Sequence, residues 1–277
     1  MWSPVTEGKK RLFQLARRIA RENSPPGPFR TRHGFRMELN LRNPEHERMF
    51  YYGEHDERYE IRAVSKLIAP NAHCWDIGAN VGFYTCLFAK LAPAGQVHAF
   101  EPGSGSYVRL QHNVMMNHFP NVTLHRSALS SQEGEALLHA RNPELCEGTA
   151  CLEGFAEDQS HTESVRTTTM NALRQSLGTP EFIKMDVEGH QLEVLRGANE
   201  LLAISKPTLF VEMQHSCPDV VLKIDSLLMN LGYLFYDFKK HGLLPVRHPL
   251  ESRCANQLAV HPESPSRAKI KPLLVTR

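Results

Sequence analysis

The chain has 277 residues, 41% of them hydrophobic, which suits one large α/β domain with a full core and not two equal domains. The formal charge is +2, yet residues 1–32 hold eight Lys or Arg against two Glu, so the remainder of the chain carries −4. A basic region confined to one end is not the patch or stripe expected of a nucleic-acid-binding protein. We therefore predict no nucleic-acid partner.

The six cysteines show no CxxC spacing and lack the density of a disulfide-stapled secreted domain. No apolar run approaches the roughly 18 residues of a membrane span, and no continuous apolar leader opens the chain. These features predict a reduced, soluble protein of the cytoplasm.

Residues 5–22 are predicted to form a basic amphipathic helix that the SPPGP segment ends. Such a helix can dock on its own domain or on a second subunit, or make peripheral contact with an anionic membrane surface. We divide the chain into this helix and linker (1–30), a main domain (31–262) and a basic, loosely held tail (263–277). The oligomeric state is not predicted.

Two elements are predicted ahead of the main sheet. The alternation of Phe35, Met37, Leu39 and Leu41 indicates a hairpin that packs as a lid or an edge. A helix is predicted from about Asp56 to Leu67. The acids around its start have two interpretations, a solvated face or contact with cofactor or substrate; they are Glu54, Asp56, Glu57 and Glu60.

From Ala72 onward, strand and helix patterns alternate, which predicts a mostly parallel sheet with right-handed crossovers. Seven strands are predicted to form this sheet: 73–77, 96–101, 121–129, 181–186, 206–213, 233–238 and 255–261. Residues 134–140 are predicted as a short extra strand. Residues 141–164 have no periodicity and are predicted to form a mobile loop of the kind that serves as a lid or a binding segment.

The segment WDIGANVGFYT, residues 75–85, has the pattern of a strand, a glycine turn and a helix start. Glycine allows the backbone to turn tightly and to approach a ligand, which predicts a nucleotide-type site at Gly78 and Gly82. Asp76 is expected to face the crevice at the strand end. Glu101 ends the next strand 25 residues later, about where a Rossmann-like site places the acid that accepts ribose hydroxyls.

The turn reads DxGxNxG and not the GxGxxG of dinucleotide sites, which favours a cofactor without a pyrophosphate. S-adenosylmethionine fits this pattern. The first alternative is an NAD-dependent dehydrogenase, which needs a Tyr-x-x-x-Lys pair; the one such spacing runs from Tyr236 to Lys240. The second is a non-catalytic scaffold with a degenerate fold, which the presence of Asp76 and Glu101 disfavours.

The segment KMDVEGH ends the predicted fourth strand, and EMQH ends the fifth. Their ionisable side chains resemble an acid/base cluster. The candidate bases, in order, are Glu188, Asp186, His215 and Glu212. For Glu188 and Glu212 the alternative is a helix cap or a partner for Lys184. These four side chains could also hold Mg²⁺, but spacing does not fix their geometry, and no metal is predicted.

The blocks WDIGANVGFYT, VHAFEP, SALSSQEG, FIKMDVEGHQLEVLRGA and LFVEMQH resemble the FkbM family of S-adenosylmethionine-dependent methyltransferases, from about Ala72 to His215. The resemblance implies a class I methyltransferase fold, Rossmann-like with seven strands. It also implies O-methyl transfer to a sugar, a glycan or a secondary metabolite. By position, it assigns cofactor binding to Asp76, Gly78, Ala79, Asn80, Gly82, Glu101 and the backbone near Ala128. We predict that Phe83, Thr85, Pro102 and Asp186, in the same segments, also contribute to the cofactor site.

One departure from the family pattern concerns the segment after the threonine-rich strand. The family usually shows a leucine-aspartate pair there, and this chain has Met170 and Asn171. We expect the change to affect helix capping more than activity, because Asn caps nearly as well as Asp.

Overall fold

A computed structural model describes residues 27–140, 151–152, 161–252 and 254–275. The predicted amphipathic helix over residues 5–22 lies outside these ranges. The strands are β1 (Phe29–Arg30), β2 (Arg36–Met37), β3 (His73–Ile77), β4 (Gln96–Phe100), β5 (Val122–His125), β6 (Ala128–Leu129), β7 (Gly134–Ala140), β8 (Cys151–Leu152), β9 (His161–Thr168), β10 (Phe182–Met185), β11 (Thr208–Glu212), β12 (Leu234–Lys239), β13 (Gly242–Val246) and β14 (Asn256–Val260). The helices are α1 (Pro44–Tyr52), α2 (Arg58–Leu67), α3 (Phe83–Leu91), α4 (Ser104–Met116), α5 (Met170–Leu177), α6 (Gln191–Arg196), α7 (Asn199–Ser205), α8 (Pro218–Asn230) and α9 (Arg267–Ile270).

The main sheet has the strand order β13-β12-β14-β11-β10-β3-β4-β5. Neighbouring strands from β11 to β5 are parallel, whereas β14 runs antiparallel to both β11 and β12. Six of the seven predicted strands lie in this sheet, and the strand predicted over 121–129 contributes only its first half, β5. The eighth, β13, forms a hairpin with β12 and was not predicted. The architecture is the Rossmann-like class I methyltransferase fold that the resemblance implies.

The core is divided between the two faces of this sheet. Successive side chains of a strand point to opposite faces. In β3, Cys74 therefore belongs to one apolar cluster, whereas Trp75 and Ile77 belong to the other. Both faces of the sheet are covered, which is why the central strands are almost continuously apolar.

A second sheet, in the order β6-β9-β7-β8, packs beside the main one. The single strand predicted over 121–129 is wrong, because the chain bends near Arg126 and delivers β5 and β6 to different sheets. The loop predicted over 141–164 is also partly wrong. It contains β8 and the start of β9, and both pair with β7. Residues 141–150 and 153–160 lie outside the described residues.

The N-terminal hairpin pairs β1 with β2, and its four alternating apolar side chains are all buried, as the pattern predicts. Amide side chains of α4 fasten it. Asn113 Oδ1 accepts from Glu38 N at 2.7 Å, and Asn113 Nδ2 donates to Val81 O at 2.8 Å. Asn113 therefore ties the hairpin to the glycine turn.

Helix α1 was not predicted, although its start carries a recognisable signal. Asn43 Oδ1 accepts from Glu45 N at 2.8 Å and from His46 N at 3.4 Å, and Pro44 occupies the first helical position. Helix α2 begins at Arg58, two residues after the predicted start.

The alternating pattern implies one helix after the strand at 181–186, but the chain there forms two helices, α6 and α7, separated at Gly197. A methyl group on Gly197 would lie 2.0 Å from the Ser130 carbonyl oxygen. Glycine therefore allows the junction between the two helices to pass close to the end of β6.

The described part of the C-terminal tail, which ends at Val275, is packed against the domain, so the prediction of a loosely held tail is wrong for these residues. Ile270 is fully buried, and Lys269 Nζ donates to Leu67 O at 2.8 Å. Nowhere in the described ranges is there a helix long and apolar enough to cross a membrane.

Candidate active site

Two adjoining cavities lie at the carboxyl ends of β3, β4 and β10, and they share Glu45, Asn80 and Asp186. The first is a cleft that opens to solvent, with a cavity volume of about 110 Å³. Its walls are Glu45, Ile77, Gly78, Asn80, Phe100, Glu101, Pro102, Gly103, Ser106, Ser127, Ala128, Leu129, Leu138, Leu152, Asp186, Val187, Glu188 and His190. The second is lined by Glu45, His46, Met49, His55, Glu57, Ala79, Asn80, Val81, Phe83, Tyr84, Lys184 and Asp186.

The glycine turn has the geometry that the sequence predicts. Gly78 has φ +75°, and a methyl group there would lie 1.8 Å from the Asp186 carbonyl oxygen. Gly82 has φ +91° and packs on Leu110, where a methyl group would come within 2.6 Å of Cδ1. Asn80 is left-handed as well, with φ +48°. The turn therefore depends on glycine for close packing as well as for backbone conformation.

Glu101 is buried at the end of β4, and backbone amides hold its carboxylate. Oε2 accepts from Asn80 N, and Oε1 accepts from Gly103 N, each at 2.9 Å. Burial raises the pKa of Glu101 to about 7, although these two hydrogen bonds lower it. A carboxylate has about four acceptor positions, so Glu101 keeps capacity for ligand hydroxyls. Pro102 and Ala128 line the same cavity.

Asp76 does not face the crevice, so this prediction is wrong. Its side chain is fully buried and lines neither cavity. Oδ2 accepts from Thr85 Oγ1 at 2.5 Å, and Oδ1 lies 3.9 Å from Lys184 Nζ. The alternation of β3 turns Asp76 toward the face that α3 covers. Asp76 and Thr85 thus brace the glycine turn from inside the protein.

Lys184 lies below the same turn. Its Nζ donates to Gly78 O at 3.1 Å, lies 3.3 Å from Asp186 Oδ2 and stands 5.5 Å from the centre of the Tyr84 ring. Burial lowers the pKa of Lys184, but the carboxylates of Asp186 and Asp76 outweigh burial and raise it. The ammonium is therefore permanently charged and fixes the turn to β10.

Three acids, Asp186, Glu188 and Glu212, lie near one another at the carboxyl ends of β10 and β11. Glu188 has φ +50°, a left-handed conformation that is unfavourable for a residue other than glycine. Within the described residues, its carboxylate makes no hydrogen bond or ion pair. Burial first, and then the charge of Asp186, raise the pKa of Glu188 to about 7. The same two causes raise the pKa of Glu212 to about 8, and Gln191 Nε2 donates to Glu212 Oε2 at 2.9 Å.

The structure does not bring His215 to the cavities. The chain after β11 stays beside β14, where Met213 N donates to Ala255 O at 2.5 Å. His215 Nε2 bonds to the carbonyl oxygen of Cys254 at 2.9 Å. Neither His215 nor Glu212 lines a cavity, although Glu212 lies next to Asp186. Of the four candidate bases, Asp186 and Glu188 line the first cavity.

The residues that sequence reasoning missed are mostly in the second cavity. Glu57 Oε2 accepts from Tyr84 Oη at 2.5 Å, and Glu57 Oε1 accepts from Asn256 Nδ2. His55 Nε2 lies 3.0 Å from Glu45 Oε1, and His55 Nδ1 lies 3.4 Å from Glu57 Oε2. Burial lowers the pKa of His55, but the two carboxylates raise it overall. Of the two interpretations of the acids near α2, a solvated face or a place in the site, Glu57 fits the second, because it lines the second cavity.

Two further expectations are resolved outside the cavities. Tyr236 is buried in β12, where its hydroxyl accepts from Arg267 Nη1 at 3.0 Å, so the Tyr-x-x-x-Lys spacing does not enter the site. Asn171 does not cap α5, the helix in which it lies. Thr169 caps α5, whereas Asn171 Oδ1 accepts from Leu201 N of α7 at 3.0 Å.

One feature of the first cavity had no role in the predictions. His190 lines it, and its Nε2 is 2.9 Å from Ser130 Oγ. Among the described residues, no group of three or more His, Cys, Asp or Glu is arranged to hold a metal ion.

The chain is similar to known methyltransferases. It is 32% identical over 151 residues to the hexuronic acid methyltransferase AglP of Haloferax volcanii, covering 53% of this chain and 58% of that protein. It is 24% identical over 147 residues to methyltransferase 1 of Beauveria bassiana, covering 45% and 57%. The chain thus spans less than two thirds of both relatives.

Among solved structures, the methyltransferase FkbM of Methylobacillus flagellatus matches with a TM-score of 0.48 and 18% identity, over 70% of this chain and 44% of that one. The model of the methyltransferase FkbM domain matches residues 76–235. This range runs from the glycine turn through Glu101 and the acids after β10, and it is more than half of the chain. The chain therefore belongs to the FkbM methyltransferase domain family.

Proposed function

We propose that the protein transfers a methyl group from S-adenosylmethionine to a hydroxyl of a sugar, a glycan or a secondary metabolite. One observation carries the proposal: a single cavity is lined both by the amide-held carboxylate of Glu101 and by the unpaired carboxylate of Glu188. The first suits ribose hydroxyls, and the second suits a hydroxyl that must lose its proton.

The residues present fit the cofactor. Asn80 lines both cavities, and its Oδ1 is buried without a hydrogen-bond partner among the described residues. Such an orphaned acceptor suits the ammonium of the amino-acid portion, together with the Asp186 carboxylate. Glu101 would hold the ribose, and Pro102, Ala128, Leu138 and Leu152 would surround the adenine. When bound, S-adenosylmethionine supplies a methyl group already activated by a positively charged sulfur.

The protein then has two tasks, to align the acceptor and to take a proton. Alignment can contribute up to roughly 7–11 kcal/mol. Glu188 would take the hydroxyl proton of the acceptor, whose oxygen would receive the methyl group that bound S-adenosylmethionine supplies. A general base adds about 10²- to 10⁴-fold. Its pKa of about 7 suits a base near neutral pH, and Asp186 is the second candidate.

The Haloferax volcanii relative is named for a hexuronic acid, which supports a sugar as the acceptor class and says nothing of the charge of this chain's own acceptor. A cytoplasmic location and a membrane or subunit contact through the basic N-terminal helix remain predictions.

The test has a binding arm and a transfer arm. Calorimetry with S-adenosylmethionine and with NAD should give a heat of binding for the first alone. Labelled S-adenosylmethionine with a fractionated cell extract should then yield a labelled product. A scaffold would bind neither adenosyl ligand, and a dehydrogenase would bind NAD.

The base is tested with Glu188→Gln, which should lower turnover about 100-fold or more while cofactor affinity changes little. The matched control is Glu193→Gln on α6, an acid already paired with Arg196, and it should retain turnover. Full turnover in Glu188→Gln would refute the assignment.

A further inference from the structure

The walls of the two cavities carry an imbalance of charge. In the part of the chain that the structure describes, five carboxylates line them: Glu45, Glu57, Glu101, Asp186 and Glu188. Lys184 is the one Lys or Arg among the same described walls, and three histidines complete the ionisable set. An incoming ligand therefore meets mainly acceptors of negative charge.

Lys184 cannot serve an acidic ligand without breaking existing contacts. It is buried, donates to the Gly78 carbonyl oxygen, and lies against the Asp186 and Asp76 carboxylates. His55 is likewise held between the carboxylates of Glu45 and Glu57.

The arginines next to these walls in the chain are also engaged. Arg48, on the same helix as Glu45, pairs with Asp56 at 2.6 Å. Arg58, next to Glu57, lies 3.3 Å from Glu54. Arg126, next to Ser127, pairs with Glu163. Guanidinium groups are the preferred partners of carboxylate and phosphate ligands, and all three arginines already have carboxylate partners.

The acids beyond β10 also repel one another. The charge of Asp186 is a cause of the raised pKa of both Glu188 and Glu212, after burial. A bound S-adenosylmethionine carries a sulfonium, an ammonium and one carboxylate, and so adds only one net positive charge to a site with several carboxylates. An acidic acceptor would add to the repulsion.

We infer that the methyl acceptor carries no carboxylate or phosphate beside its reacting hydroxyl, and that it is an uncharged or positively charged hydroxyl compound rather than a uronic acid. The inference rests on the proposed function and narrows its substrate class. Like-charge juxtaposition is a general means of rejecting a wrong partner.

The experiment compares matched acceptors. Methyl glucoside and methyl glucuronide differ at one carbon, as do the corresponding galactosides. We expect kcat/KM for the neutral member to be at least about tenfold higher, equivalent to ~1.4 kcal/mol. Equal or faster methylation of the uronate would overturn the inference and leave methyl transfer intact.

If none of these sugars reacts, the labelled product from the cell extract decides. It is hydrolysed to monomers, which removes remote phosphates, and the labelled fragment is run by electrophoresis at pH 7. A neutral or cationic fragment supports the inference, and an anionic one overturns it. Absence of both transfer and cofactor binding refutes the proposed function itself and, with it, the inference.

A variant tests the electrostatic origin of the selectivity. Glu45 lines both cavities and its side chain is 40% exposed, so Glu45→Gln should fold. We expect it to reduce the preference for the neutral acceptor several-fold, more at low than at high salt. Glu200→Gln on α7, where the acid is 64% exposed and faces Arg174, should leave the preference unchanged. An unchanged preference in Glu45→Gln would contradict an electrostatic origin of the selectivity at these walls.

Discussion

The two cavities hold their polar groups by different means. In the first, backbone amides fix the Glu101 carboxylate. In the second, side chains hold one another: Glu57 accepts hydrogen bonds from Tyr84 and from Asn256, which are far apart in the sequence. The first arrangement depends on the shape of one local turn. The second depends on three elements meeting in space.

The largest effect is expected when the turn itself is changed. Gly78→Ala would place a methyl group 1.8 Å from the Asp186 carbonyl oxygen at φ +75°. Because a misplacement of about 1 Å can cost about 100-fold in rate in well-aligned sites, we expect turnover to fall by at least that factor, and the affinity for S-adenosylmethionine measured by calorimetry to fall with it.

The control is Gly105→Ala on α4, where a methyl group meets open space. It should keep full affinity and gain up to about 1 kcal/mol of stability, since alanine favours helix over glycine. Wild-type affinity in Gly78→Ala would show that the second cavity alone dominates binding.

A smaller loss is expected from the side chain that the turn holds. Glu101→Gln removes a charged acceptor worth about 1.5–3 kcal/mol, so affinity for S-adenosylmethionine should fall roughly ten- to 100-fold. Affinity for adenosine, which lacks the amino-acid portion, should fall by the same factor, because the lost hydrogen bonds are those to the ribose. The exposed acid Glu251 provides the control Glu251→Gln. A loss seen with S-adenosylmethionine but not with adenosine would contradict the assignment.

The second cavity should respond in stability more than in adenosine affinity. Tyr84→Phe removes the hydroxyl that donates to Glu57 Oε2 and leaves a partly buried carboxylate oxygen short of a partner. We expect unfolding free energy to fall by about 1–3 kcal/mol in urea denaturation, with adenosine affinity retained. Tyr107→Phe, on a half-buried tyrosine of α4, is the control. An adenosine affinity that fell with stability would mean that the cavities act as one.

The smallest effect concerns pH. Glu212 has a folded-state pKa of about 8 against an ordinary value of 4.5, so the folded protein binds the extra proton. Stability is therefore lost as pH rises from about 4.5 to about 8. Glu212→Gln should remove this loss, so its Tm should exceed that of wild type by more at pH 8 than at pH 5. A difference in Tm that does not grow with pH would exclude charge repulsion at Glu212.

The sequence predicted the parts whose signals are local. The turn from Gly78 to Gly82 was recognisable because only glycine avoids a Cβ penalty at positive φ. Six of the sheet strands were recognisable because burial on both faces requires nearly continuous apolar residues, whereas β5 is only partly buried and its end was predicted wrongly. The family resemblance then agreed with the match over residues 76–235.

Other features were settled by packing between distant segments. The direction of the Asp76 side chain depends on the pleat of β3 in a sheet covered on both faces. The distance of His215 from the cavities depends on the pairing of β11 with β14. Asn171 could have capped either helix, and its choice of α7 depends on the bend at Gly197.

By itself, the sequence determined the fold class, the glycine turn and the acid at the end of β4, because each follows from backbone sterics or strand periodicity over a few residues. Only the tertiary structure decided which acids share a cavity and which are braced below it. That outcome depends on long-range contacts, such as the one between Glu57 and Asn256, which no local pattern encodes. The charge balance of the site, and hence the acceptor that it admits, is a property of those contacts.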